Sequence, residues 1–134
     1  GVVMVQAEVG HRIAAGPGSK VYGAPSVKAA WYGTWRTAGN VSRQIFWPVP
    51  NVDSVLVAFD RRAEPRGDEV LRKRTFALVD AAFQQRRKTL RQSLSVVFGD
   101  PTSAATALEA AGISPSLRGE QLDLDDFVRL AAIT

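Results

Sequence analysis

The chain has no cysteine, one histidine and one methionine in 134 residues. Without cysteine there can be no disulfide and no thiolate metal site, and a reducing setting such as the cytosol is the natural expectation. His11 supplies neither a zinc site nor a Ser-His-Asp triad without partners from elsewhere, so no metal is expected. No run of about eighteen apolar residues occurs, and no basic-then-apolar leader opens the chain, so neither a membrane span nor a signal peptide is expected. A phosphate loop is missing too: Gly16-Pro17-Gly18-Ser19-Lys20 has suitable residues but not the required spacing. The acidic residues before position 63 are Glu8, Asp53 and Asp60, and their spacing pairs none of them for acid–base work.

What is present suits a folded protein. Apolar residues make up 46% of the chain, enough for a packed core in one modest domain, or in part of a domain joined to a small second one. The net charge is only +4, but it is unevenly placed. Residues 1–62 carry seven Lys/Arg against three Asp/Glu, and residues 63–99 carry eight against four. Residues 100–134 reverse the balance, with two against six. A basic front and middle point to a face made for a polyanion, although charges of this kind also serve simply to solubilise a surface.

The character of the chain changes near residue 63, and all three tryptophans lie before it. In that part Val27 to Arg36 alternates like a strand, with Val27, Ala29, Trp31 and Trp35 on one face. Lys28, Tyr32, Thr34 and Arg36 would fill the other face. Ser54–Phe59 and Val2–Val5 read as short strands buried on both faces, and Glu8–Ala15 as a short helix. Two or three strands and one helix make a poor core, so this part suggests a truncated α/β sheet, with a self-contained small α+β domain as the alternative. Ala63-Glu64-Pro65-Arg66-Gly67 reads as a linker. Beyond it the period is helical: Phe76, Val79, Ala82 and Phe83, then Leu90, Leu94, Val97 and Phe98. Asp100-Pro101 should open a helix that stops near Gly112, and Asp123 should cap the last one. Residues 63–134 thus read as a small helical bundle.

Two segments carry possible chemistry. Around Phe46-Trp47-Pro48-Val49-Pro50, the prolines fix their own φ and push their neighbours towards extended geometry. A stiff loop of this kind can present Phe46 or Trp47 to a base; equally, those rings can plug a sheet edge. The second is Phe83-Gln84-Gln85-Arg86-Arg87-Lys88-Thr89-Leu90-Arg91. As a helix it would set Arg87 and Arg91 together, with Arg86 and Lys88 beside them. No acidic residue lies between Asp80 and Asp100, so the cluster suits phosphates, with a solvated helix face as the plainer alternative. Arg72-Lys73-Arg74 is a weaker basic run, since Asp68 and Glu69 are near.

In order along the chain, these segments resemble the KsgA-type small-subunit (16S) ribosomal RNA adenine dimethyltransferases. Met4-Val5-Gln6-Ala7-Glu8-Val9 with Arg12, then Gly18-Ser19-Lys20-Val21-Tyr22-Gly23, are similar to successive stretches of that family. Phe46-Trp47-Pro48-Val49-Pro50-Asn51-Val52-Asp53-Ser54 resembles its Phe-x-Pro-x-Pro-x-Val-x-Ser signature, with Trp47 standing where a smaller residue is common. Gln85-Arg86-Arg87-Lys88-Thr89-Leu90 resembles its basic helix. Ala111-Gly112-Ile113 and Arg118-Gly119-Glu120-Gln121-Leu122 resemble its closing part. The large-subunit, antibiotic-resistance relatives lack the Gln-Arg-Arg-Lys-Thr-Leu pattern, which favours the small-subunit class.

The resemblance implies an α/β plus all-α fold. Residues 1–62 would be the C-terminal remnant of a Rossmann-like S-adenosylmethionine methyltransferase sheet domain, and residues 63–134 a helical RNA-binding domain. It implies that the whole enzyme, cytoplasmic and active in ribosome biogenesis, dimethylates two adjacent adenines of small-subunit ribosomal RNA. Phe46 would pack on the target adenine, with Pro48 and Pro50 shaping its loop, and Arg86, Arg87, Lys88 and Arg91 would grip the RNA. The family's Gly-rich donor loop and Asn-Leu-Pro-Tyr motif are not in these residues. The expectation for this chain alone is therefore RNA recognition without binding of S-adenosylmethionine or methyl transfer. A non-catalytic RNA-binding module and a structural ribosome-assembly factor stay open beside it.

Overall fold

A computed structural model describes residues 1–41, 53–64 and 66–133, and divides the chain into two compact units, Gly1–Pro65 and Arg66–Thr134. The first unit is built on three strands: β1 (Val2–Gln6), β2 (Gly33–Val41) and β3 (Ser54–Arg61). Their order is β1-β3-β2, and both outer strands run antiparallel to β3, so β1 and β2 are parallel to each other. Val5 lies opposite Val55, Val3 opposite Val57, and Trp35 opposite Phe59.

Helix α1 (Ala7–Ala14) follows β1 without a loop and lies on the sheet. Gly10 permits this close approach: a β-carbon there would collide with Val55 and stand 3.0 Å from Val57 Cγ2. Helix α2 (Ala24–Tyr32) opens at Gly23 with Pro25 in its first turn. The Gly23 N–H donates to the Ser26 hydroxyl at 3.2 Å, and that hydroxyl donates to the Arg12 carbonyl, joining α2 to the end of α1. At the other end Arg62 donates from Nε to the Trp31 carbonyl (3.2 Å) and from a terminal nitrogen to the Ala30 carbonyl (3.0 Å). These are carbonyls that a helix leaves without a partner of its own.

The single strand expected over Val27 to Arg36 is thus a helix followed by a strand. Val27 and Trp31 are both buried, which satisfies a helical spacing of four as well as an alternation of two. Gly33 marks the change, since a β-carbon there would collide with the Asp60 carbonyl oxygen. Trp35 then stacks on Phe59, with ring centroids 4.2 Å apart, and donates from Nε1 to the Ala29 carbonyl at 2.8 Å.

The expected burial of β1 is also corrected. Val2, Val3 and Met4 are 60%, 50% and 50% exposed, because β1 is an outer strand whose partner among the described residues is β3. In central β3, Val55 and Val57 are fully buried while Ser54 and Leu56 are half-buried, so its two faces are unequal.

The second unit is helical. Helix α3 (Glu69–Gln84) is capped by Asp68, whose side chain accepts the Leu71 N–H at 2.8 Å. Its buried stripe is Thr75, Leu78, Val79, Ala81 and Ala82. The helix expected from Leu90 to Phe98 is broken at Leu94 into α4 (Leu90–Ser93) and α5 (Ser95–Phe98). Leu90 and Leu94 are fully buried, but Val97 is 43% exposed, so the apolar period there did not mark one continuous face.

Helix α6 (Pro101–Ala110) begins at Asp100, which accepts the Ser103 N–H at 2.7 Å, and ends before Gly112, at φ 76°. Helix α7 (Leu124–Ala132) starts in a capping box: Asp123 accepts the Asp126 N–H, and Asp126 accepts the Asp123 N–H. Leu108, Leu122, Phe127 and Leu130 are buried at the centre, each such side chain stabilising the unit by roughly 1.5–3 kcal/mol.

Candidate nucleic-acid interface

The basic segment expected to be helical is a turn. Helix α3 ends at Gln84, and Gln85 leaves the helical region with φ −122° and ψ 57°. The Gln85 carbonyl then accepts the Lys88 N–H at 2.9 Å, and α4 begins at Leu90. Two causes are visible. Three adjacent cations repel one another with no acidic residue at helical spacing to offset them. The segment Ser114–Arg118 also competes for the backbone: Leu90 N–H donates to the Leu117 carbonyl (2.7 Å) and Arg91 N–H to the Pro115 carbonyl (3.1 Å).

This bracing holds the start of α4, directly after the turn. Arg86, Arg87, Lys88 and Arg91 are all exposed. Arg86 lies 3.4 Å from Glu120 and 6.0 Å from the Phe83 ring centroid, and Phe83 packs near Phe127 with centroids 6.3 Å apart. The sequence had left this cluster without neutralisation; Glu120, thirty-four residues away, supplies it for Arg86. Among the described residues Arg87, Lys88 and Arg91 have no carboxylate partner. These three exposed cations, close together in the sequence, are left unneutralised. The weaker run Arg72-Lys73-Arg74 differs, because Arg72 is held by both carboxylate oxygens of Glu69 at 2.7 and 3.0 Å. That hydrogen-bonded pairing lowers the Glu69 carboxyl below its ordinary range.

Beside the basic turn lies a groove of about 580 Å³ bordered by Thr89 and Arg91, one face of α6, and the turn at Ser114–Ser116. Its one sign in the sequence is a pair of threonines, Thr102 and Thr106, one helical turn apart. Phe46, Pro48 and Pro50 lie outside the described residues. Among the described residues no group of three or more His, Asp or Glu could hold a metal, and no helix is long and apolar enough to cross a membrane.

A family model described as ribosomal RNA adenine dimethylase matches residues 1–134. A ribosomal RNA small subunit methyltransferase A from Leifsonia xyli is 81% identical over 132 residues, covering 98% of this chain and 47% of that protein. The protein of the same name from Streptomyces coelicolor is 55% identical, covering 97% of this chain and 46% of that protein. The chain spans about half the length of the curated relatives it matches. A dimethyladenosine transferase from Plasmodium falciparum superposes with TM-score 0.81 at 22% identity, over 96% of this chain and 54% of that one. The 23S rRNA methyltransferase ErmE superposes with TM-score 0.68, also at 22% identity, over 98% of this chain and 52% of that one. The fold, a small sheet with helices, is therefore shared with methyltransferases of known structure.

Proposed function

Because the chain belongs to the ribosomal RNA adenine dimethylase family, we propose that it is the RNA-recognising portion of an enzyme that dimethylates adjacent adenines of small-subunit ribosomal RNA. The observation that carries this reading is the turn presenting Arg87, Lys88 and, from α4, Arg91 without carboxylate partners. Exposed cations without carboxylate partners can contact phosphates and release condensed counterions, so affinity falls steeply as salt rises. Arg86, held by Glu120, contributes less.

The first unit supports its reading as the end of a Rossmann-like sheet. Two parallel strands flanking a reversed one suit the margin of a largely parallel sheet better than they suit a meander. On this reading Phe46 packs on the target base, with Pro48 and Pro50 stiffening its loop. The exocyclic amine of adenine is a weak nucleophile because its lone pair is delocalised into the ring. The base must therefore be drawn out of its helix and its amine oriented before attack on a methyl group.

The methyl donor that the family implies, S-adenosylmethionine, does not fit the residues in hand. The sequence holds neither a Gly-rich loop after a strand nor an Asn-Leu-Pro-Tyr motif. The β1–α1 junction runs from Gln6 directly to Ala7, leaving no cradle for a nucleoside.

The test is a titration of a small-subunit RNA hairpin at two salt concentrations. Replacing Arg87, Lys88 and Arg91 by Ala should weaken binding and flatten its salt dependence; unchanged affinity would overturn the reading.

A further inference from the structure

Resting on that reading of the helical unit, we propose that the groove beside the basic turn recognises the ribose 2′-hydroxyl groups of RNA. Its edges carry Arg91, Thr102, Thr106, Glu109, Ser114 and Ser116. The hydrogen-bonding roles of these groups are unequal. The Thr106 hydroxyl donates its hydrogen to the Thr102 carbonyl at 3.0 Å, so its oxygen is left to accept. The Ser114 and Ser116 hydroxyl oxygens lie 2.9 Å apart and share one hydrogen bond, which uses one of their two hydrogens. The Glu109 carboxylate only accepts, and the Arg91 guanidinium only donates.

A ligand that matches the groove must therefore bring an anion for Arg91 and hydrogen-bond donors for Glu109 and Thr106. A bare phosphate chain satisfies the first and is repelled by Glu109. An RNA backbone brings both, as phosphate and 2′-hydroxyl; a DNA backbone brings only the phosphate. The α6 wall from Thr102 to Glu109 covers two helical turns, about 10 Å at the usual rise, long enough for more than one nucleotide. Arg91 lines this groove and follows Arg87 and Lys88 closely in the chain, so one continuous strand can engage both.

The test uses the 134-residue chain and three hairpins of one sequence: RNA, DNA, and RNA methylated at every 2′-oxygen. Anisotropy is measured for the unaltered chain and for the Arg91→Ala, Thr106→Val and Glu109→Ala variants. The unaltered chain should prefer RNA to both other hairpins. Arg91→Ala should weaken RNA and DNA alike. Thr106→Val and Glu109→Ala should weaken RNA roughly three- to tenfold, as loss of one or two hydrogen bonds does, without weakening DNA. The retained DNA affinity shows that these variants are folded, and the 2′-methylated hairpin keeps the A-form shape while removing the donor. For Thr106→Val or Glu109→Ala, equal losses for RNA and DNA or no loss would overturn the proposal, as would full binding of the methylated hairpin by the unaltered chain. Arg87→Ala with Lys88→Ala tests the basic turn separately, through the salt dependence of both nucleic acids. A flattened salt dependence with no RNA preference sinks the groove alone; no binding of any RNA sinks both readings.

Discussion

Gly119 lies against Ala82 of α3 so closely that a β-carbon at Gly119 would stand 2.9 Å from the Ala82 β-carbon and 3.3 Å from its carbonyl oxygen. This contact brings the 3-10 turn Gly119–Gln121 onto α3 and puts Glu120 beside Arg86. Gly119→Ala should therefore destabilise the helical unit by about 1–3 kcal/mol, the usual cost of overpacking. Urea unfolding followed by circular dichroism measures it, and an unchanged midpoint would contradict the tight contact.

The basic residues should differ in their effect on RNA binding. Arg87→Ala and Lys88→Ala should each lower the salt slope by roughly 0.7–0.9. Arg72→Ala should change it much less, because Glu69 already holds that guanidinium. Equal effects from Arg72 and Arg87 would mean that carboxylate pairing does not govern which cations reach phosphate.

The side chains of Asp123 and Asp126 each accept the other's backbone N–H at the start of α7. Asp123→Ala removes one of these and should cost about 1 kcal/mol. The loss is read as a lower thermal midpoint, and Asp123→Asn should recover most of it by keeping an acceptor.

Asp100 predicts a pH dependence. The Ser103 N–H donates to its carboxylate and holds its pKa below the ordinary value of 3.8. A lowered folded-state pKa means that the contribution is complete above the ordinary range and fades as pH falls through the lowered value. The Ser103 amide shift, followed by NMR in acid, should titrate below 3.8. A midpoint at or above that value would refute the cap.

The chain alone should transfer no methyl group to small-subunit RNA in a labelled-methyl assay, since it lacks the donor motifs. In a protein of full family length carrying this chain, Phe46→Ala should reduce methylation far more than RNA affinity. Equal losses would make Phe46 a packing residue.

Much of the architecture was legible because its signals are local. Asp100-Pro101 with Gly112, and Asp123 before Phe127 and Leu130, mark helix ends and faces within one or two turns. The β-branched run from Ser54 marks β3 in the same way. The junction at Gly33 is not legible because Val27 and Trp31 fit both periods, and the close approach of Asp60 that leaves no room for a β-carbon at Gly33 comes from a distant part of the chain. The basic turn is hidden from the sequence for a similar reason. Nothing between Gln85 and Arg91 reveals that the carbonyls of Pro115 and Leu117 will claim its N–H groups, or that Glu120 will neutralise Arg86. The order of the segments, by contrast, led correctly to the family.

The two margins of the three-stranded sheet are unlike. Strand β2 carries Arg36 and an irregularity between Thr37 and Gly39, whereas β1 pairs with β3 without interruption and bears Val2, Val3 and Met4. A charged, bulged border resists the docking of another ribbon, and a flat apolar one invites it. Among the described residues, therefore, β1 is the better template for a further strand, and polar substitutions at Val2–Met4 should raise solubility.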